Sequence, residues 1–185
     1  TNLRLLDCRL TDADVASLAG LALTELDLRR NRLSEAVYAA LGGFALRSLR
    51  MDLHAVPKAL PWKLDTLELG GDQTVWSQRR LKRVIQPGLR RLALHGQVET
   101  LEPLRAAEAL EELHLETLGT AAARELDALA ELPRLKVLTI RDHAAVRDRF
   151  PEALGRLDRL TLGFSNVGFA SAFASTATWG AFLRR

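Results

Sequence analysis

The chain has one cysteine, one methionine, one tyrosine and only 5% aromatic residues among 185. A lone thiol, Cys8, closes no internal disulfide, which suits a reducing compartment and makes cytoplasmic the expected location. No apolar run is long enough to span a bilayer and no leader resembles a signal peptide, so no membrane association is expected. Catalytic signatures are equally scarce. There is no CxxC pair, no HExxH, no glycine-rich phosphate loop and no nucleophile in an activated motif. The pairs Gly42–Gly43 and Gly70–Gly71 read as turns. The sequence starts at Thr1, without Met and directly in a strand-like pattern. It is therefore expected to be a fragment or processed form of a longer protein.

Leucine, by contrast, fills 38 of the 185 positions. In "LTELDLRRNRLSEAVYAAL", residues 23 to 41, Leu26 and Leu28 alternate as in a strand with one buried face. Val37, Leu41 and Phe44 then recur at helical spacing. One strand and one helix cannot bury both apolar faces alone, so the pattern is expected to return at a fixed interval. Leu3, Leu5 and Leu10 match Leu26, Leu28 and Leu33, and equivalent leucines open further units at Leu46, Leu64, Leu89, Leu110, Leu135 and Leu157. The intervals from Leu23 onward are 23, 18, 25, 21, 25 and 22 residues. Eight units fill the chain. Leu26, Leu49, Leu67, Leu92, Leu113, Leu138 and Leu160 are predicted to stack in a single inward row. Residues 1–168 form one repeat domain, and 169–185 a C-terminal capping segment.

The spacing L-x-x-L-x-L-x-x-N-x-L, most complete in "LTELDLRRNRL", resembles that of leucine-rich repeat proteins of bacterial type from about Leu3 to Val167. The two opening repeats, with C-x-L-T-D and N-x-L-S-E, are similar to the ribonuclease-inhibitor-like class, and the later repeats are degenerate. The resemblance implies an α/β solenoid: a curved right-handed horseshoe with parallel strands on the concave face and helices and turns on the convex face. It also implies that the ninth place of each repeat points inward and hydrogen-bonds the backbone leaving the strand. Cys8, Asn31, His54, Asp72, Gln97, Leu118, His143 and Ser165 occupy that place. A buried structural role is expected for Cys8, His54 and His143, and a local loop adjustment at Leu118, which cannot hydrogen-bond.

The return segments differ. Pro57 and Pro61 predict an extended return. "VWSQRRLKRVIQPG" predicts a helix whose apolar face is Trp76, Leu81, Val84 and Ile85, stopping at Pro87. "LEPLRAAEAL" and "TAAARELDALAELPRL" also read as helices, with Leu126, Leu129 and Leu132 in the core.

Function is then expected from the residues between the leucines. One outward column reads Arg4, Asp27, Arg50, Glu68, Ala93, His114, Thr139 and Thr161. The next reads Leu6, Arg29, Asp52, Gly70, His95, Glu116, Arg141 and Gly163. Signs alternate along both, which predicts lateral ladders of opposite charge between strands about 4.8 Å apart. A self-neutralised face suits protein recognition and disfavours a long polyanion. The candidate partner-binding residues are Arg4, Asp27, Arg29, Arg50, Asp52, Glu68, His95, His114, Glu116 and Arg141. His95, His114 and Glu116 are metal-ligand types, yet no metal or cofactor is expected.

A second candidate is the basic cluster Arg79, Arg80, Lys82, Arg83, Arg90 and Arg91, which suits an anionic partner. It lacks the interleaved aromatics of a single-strand binder, so nucleic acid is disfavoured. In the tail, Phe169, Phe173, Trp179 and Phe182 suit a cap over the last repeat, with a partner-docking strip or a membrane-surface helix as alternatives. The leading expectation is a non-enzymatic scaffold that binds another protein through its concave face. The alternative is a regulatory or targeting domain of a larger enzyme or effector, and a weaker one is nucleic-acid contact near 79–91.

Overall fold

The computed structural model describes residues 1–52, 56–57, 60–142 and 152–163. Its frame is one parallel sheet of eight strands lying in chain order. The strands are β1 (Asn2–Arg4), β2 (Glu25–Asp27), β3 (Ser48–Met51), β4 (Thr66–Trp76), β5 (Arg91–Val98), β6 (Glu112–Leu118), β7 (Val137–Asp142) and β8 (Arg159–Leu162). Each unit predicted from the leucine spacing supplies one strand, and parallel neighbours require a crossover between strands. Among the described residues the crossovers carry short helices, α1 (Asp12–Ala16), α2 (Val37–Leu41), α3 (Gln78–Val84), α4 (Thr120–Arg124) and α5 (Asp127–Ala130), or 3-10 turns, at Glu102–Ala106 and Glu152–Arg156, and the β3–β4 connection carries neither.

The leucine row forms as predicted. Leu3, Leu26, Leu49, Leu67, Leu92, Leu113, Leu138 and Leu160 are register partners from β1 to β8. Two residues on, Met51, Leu69, Leu94, Leu115, Ile140 and Leu162 form a second row. Both rows join one core with Val15, Val37, Leu41, Leu81, Val84, Leu104 and Leu129 from the crossovers, so the helical elements cover the leucine side of the sheet. A fully buried leucine contributes about 2 kcal/mol. The opposite face of the sheet is polar.

In the first two units the strands are three residues long and stop at turns with left-handed Asp7, Arg9 and Arg30. Asn31 holds this turn. Its Nδ2 donates to the carbonyls of Leu5 (2.6 Å), Leu28 (2.8 Å) and Arg29 (3.3 Å), while its Oδ1 accepts from the amides of Cys8 (3.1 Å) and Leu10 (3.0 Å). Asp12 ties the next crossover to the first by accepting the Ser34 amide at 2.9 Å.

Several expectations need correction. Cys8 is exposed, its thiol donating to the Leu6 carbonyl, because β1 is an edge strand with a neighbour on one side only. Gly70 and Gly71 lie inside β4 rather than in a turn, and Trp76 ends that strand instead of opening a helix, although it is fully buried. The helix predicted over 101–110 is a single 3-10 turn. The one predicted over 120–135 divides into α4 and α5, while Leu126, Leu129 and Leu132 are core as expected. In the ninth place, Gln97 is exposed on β5, and Leu118 simply extends β6 with its side chain buried. His54, His143, Ser165, the Asp72 side chain and the capping segment 169–185 lie outside the described residues.

Candidate functional site

The polar face is built by the period of two. Along β5, Leu92, Leu94 and Val98 are buried while Arg91, Ala93, His95 and Gln97 face outward. Register places Arg4, Asp27, Arg50, Glu68, Ala93, His114, Thr139 and Thr161 side by side as one column.

Charges on this face pair laterally, as Asp27–Arg50–Glu68 and His95–Glu116–Arg141, but the shortest contacts are not lateral: they run along β2 and diagonally across the sheet. Asp27, only 4% exposed, is gripped by Arg29 two residues further along the chain, with Nε at 2.9 Å and Nη2 at 2.7 Å from its two oxygens. The remaining Arg29 nitrogen, Nη1, passes β3 to reach Glu68 Oε1 at 2.8 Å. Arg50 sits between the two carboxylates, 3.5 Å from Glu68 and 4.0 Å from Asp27. His95 Nε2 lies 2.9 Å from Glu68 Oε1, and its Nδ1 is 3.9 Å from Glu116 Oε2. Glu116 accepts the Gly96 amide at 2.7 Å and stands 3.8 Å from Arg141. Asp52 accepts the Arg30 amide at 2.6 Å. A relay of alternating charge thus crosses the sheet from β2 to β7, with Glu68 as its hub.

Arg4 and His114 stand apart. Among the described residues neither has an ion pair, and His114 does not line the groove that holds His95 and Glu116.

The relay sets its own protonation. The hydrogen bond from His95, helped by Arg29 and Arg50, holds the Glu68 carboxyl below its ordinary value against the opposing effect of burial. Glu68 in turn raises the His95 imidazole above 6.5, with Glu116 and Asp52 adding to the pull. Burial pushes Asp27 upward, but the bonds and charge of Arg29 overcome it, so its carboxyl is also lowered. Removing one member of such a partly buried set strands its partner's charge.

The backbone beneath this relay depends on two glycines. Gly70 and Gly96 have φ of +99° and +96°, and the ladder shifts register beside each. A Cβ on Gly70 would fall 2.3 Å from the His95 carbonyl oxygen, and one on Gly96 2.2 Å from that of Thr74. Trp76 Nε1 closes the arrangement by donating to the His95 carbonyl at 2.8 Å. The result is a groove of about 760 Å³ across the polar face, with Arg29, Glu68, Gly70, His95, Glu116 and Arg141 in its lining. The sequence signal for it was present: a glycine directly after the last strand leucine in "LELGG", and one residue later in "LALHG".

The basic cluster does not gather. Arg80 and Arg83 donate to the carbonyls of Val75 (2.8 Å) and Val56 (2.9 Å), which leaves Arg79 and Lys82 as the two of α3 without a side-chain partner among the described residues. Arg90 pairs with Glu111 at 2.7 Å, and Arg91 lies on the polar sheet face, bonded to Thr66 at 3.2 Å.

No three His, Cys, Asp or Glu side chains among the described residues are placed to hold a metal ion. No helix among them is long and apolar enough to cross a membrane. The chain matches no known protein family, no curated protein and no solved structure.

Proposed function

We propose that the chain is a leucine-rich repeat scaffold without enzymatic activity, and that it binds another protein through the polar face of its sheet, the concave side of a horseshoe. Eight leucine-anchored units with one strand each, in chain order, support the repeat reading. So does the Asn31 amide, which bonds five backbone groups between the first two units. The observation that carries the functional reading is the groove itself: Arg29, Glu68 and His95 at its centre are fixed by one another before any partner arrives. Side chains already ordered lose less freedom on binding. The separation of Arg79 and Lys82 from Arg90 and Arg91 weakens the nucleic-acid reading.

The test is affinity capture from the native source, with mass spectrometry, using the wild-type chain and a His95→Ala, Glu116→Ala double variant as baits. A partner retained by the wild type and weakened at least about tenfold by the double variant supports the proposal. Unchanged affinity removes it.

A further inference from the structure

The polar face is balanced in formal charge but not in available charge. Each of the three carboxylates that line the groove already has an internal donor: Glu68 has Arg29 and His95, Asp52 has the Arg30 amide, and Glu116 has the Gly96 amide, while Asp27 beside it is held by Arg29. The cations divide differently. Arg29 is fully engaged. The Arg30 guanidinium has no partner among the described residues, and the Arg141 side chain is 70% exposed with its nearest carboxylate oxygen at 3.8 Å. Both line the groove, Arg30 in the turn after β2 and Arg141 on β7. Within the groove, the attraction left over for a partner is therefore positive and located at two separate points.

Spacing narrows the partner further. Five strand intervals separate β2 from β7, about 24 Å, and an extended chain covers that span in about seven residues. Between the two arginines the wall includes Gly70 and Gly71, so a second backbone can come close, and Leu6, 42% exposed, offers an apolar contact beside Arg30. A continuous phosphate backbone would run over the Asp52, Glu68 and Glu116 carboxylates, which line the groove between these points. We propose that the groove takes an extended acidic protein segment with carboxylates about seven residues apart, one seated at Arg30 and the other at Arg141 through charge-assisted hydrogen bonds. This deepens the sheet-face reading above and rests on it.

The probe is a fluorescein-labelled peptide with a Glu-Asp pair at each end of a Gly-Ser spacer, titrated with the intact chain by fluorescence anisotropy at low salt. Spacers are matched to the predicted span, about half of it and about twice it. The matched peptide is expected to bind at least about tenfold tighter than the short one, and Arg30→Gln or Arg141→Gln to weaken it about tenfold each. Arg30→Lys and Arg141→Lys, which keep the charge, should retain most of the binding, and thermal melts check that every variant folds. Equal affinity for all spacers, or indifference to both glutamine substitutions, would overturn the proposal. So would tighter binding of a single-stranded oligonucleotide of equal charge with the same dependence on Arg30 and Arg141. If a captured partner depends on His95 and Glu116 but not on the two arginines, this inference falls and the sheet-face reading stands. If the partner is indifferent to all four residues, both fall.

Discussion

The first two units and the three central ones share the same leucine spacing but end their strands in different ways. β1 and β2 are three residues long and stop where left-handed turn residues lead into the Asn31 amide. β4 and β5 run for 11 and 8 residues because Gly70 and Gly96 let the backbone bulge and continue, and β6 pairs alongside β5 for 7. The leucines therefore set the stacking, and the residues just after them set how far the polar face extends. Only the extended part carries the full relay through Glu68, His95 and Glu116. In the short-stranded part a neutral amide satisfies the turn; in the long-stranded part a carboxylate does comparable work, Glu116 receiving the Gly96 amide.

The comparison breaks most visibly at the glycines. Gly96→Ala should cost about 3 kcal/mol or more, because a positive φ and a backbone clash act together. Gly20→Ala, at the same φ but with open space around it, should cost about 1 kcal/mol. Urea unfolding of the two variants checks this, and equal costs would mean that the bulge does not support the central strands. Next in size, Asn31→Ala should lose about 2 kcal/mol by leaving part-buried backbone groups without partners. Its effect should be local, with faster amide exchange in residues 5–10 and none over 91–118. Asn31→Asp, which keeps the acceptor and loses the donors, should fall between.

A smaller effect separates the regions by pH. His95 titrates above 6.5 in the folded chain, so its contribution is complete below 6.5 and is lost as pH rises through the raised value. Glu68 and Asp27 are lowered, so theirs is complete above 4.5 and 3.8 and is lost as pH falls. Stability should be highest between about 4.5 and 6.5, and the alkaline decline, under about 1 kcal/mol, should vanish in His95→Gln. An alkaline decline that persists in that variant would place its origin elsewhere. Smallest of all, Cys8→Ser in the exposed first turn should change stability by no more than about 0.5 kcal/mol, by thermal melting.

The stacking was legible because it depends on one residue type at a regular interval: Leu26, Leu49 and Leu67 need no knowledge of the turns to be aligned. The membership of the polar face was legible for the same reason, since alternation assigns Asp27, Glu68 and His95 to one side. Their pairing was legible only in part: register gives the lateral contacts of Arg50 with Asp27 and Glu68, but not the shorter bonds of Arg29. Arg29 has the reach to pass β3 and choose Glu68 over its lateral neighbour Asp52, and period-two counting carries no information on side-chain length. Gly70 was read as a turn because glycine marks turns and bulges alike, and only the neighbouring Gly96 and the indole of Trp76 decide between them. Cys8 was misplaced because the turn that follows β1 is covered by a neighbouring unit on one side only, and leucine spacing does not report that.

Amide exchange of a captured complex probes the polar face directly. Binding there should protect residues 66–71 of β4, 91–96 of β5 and 112–116 of β6 while leaving α3 unchanged. Protection centred on α3, with these strand segments unaffected, would place the partner on the opposite side of the sheet and contradict the proposed role of the groove.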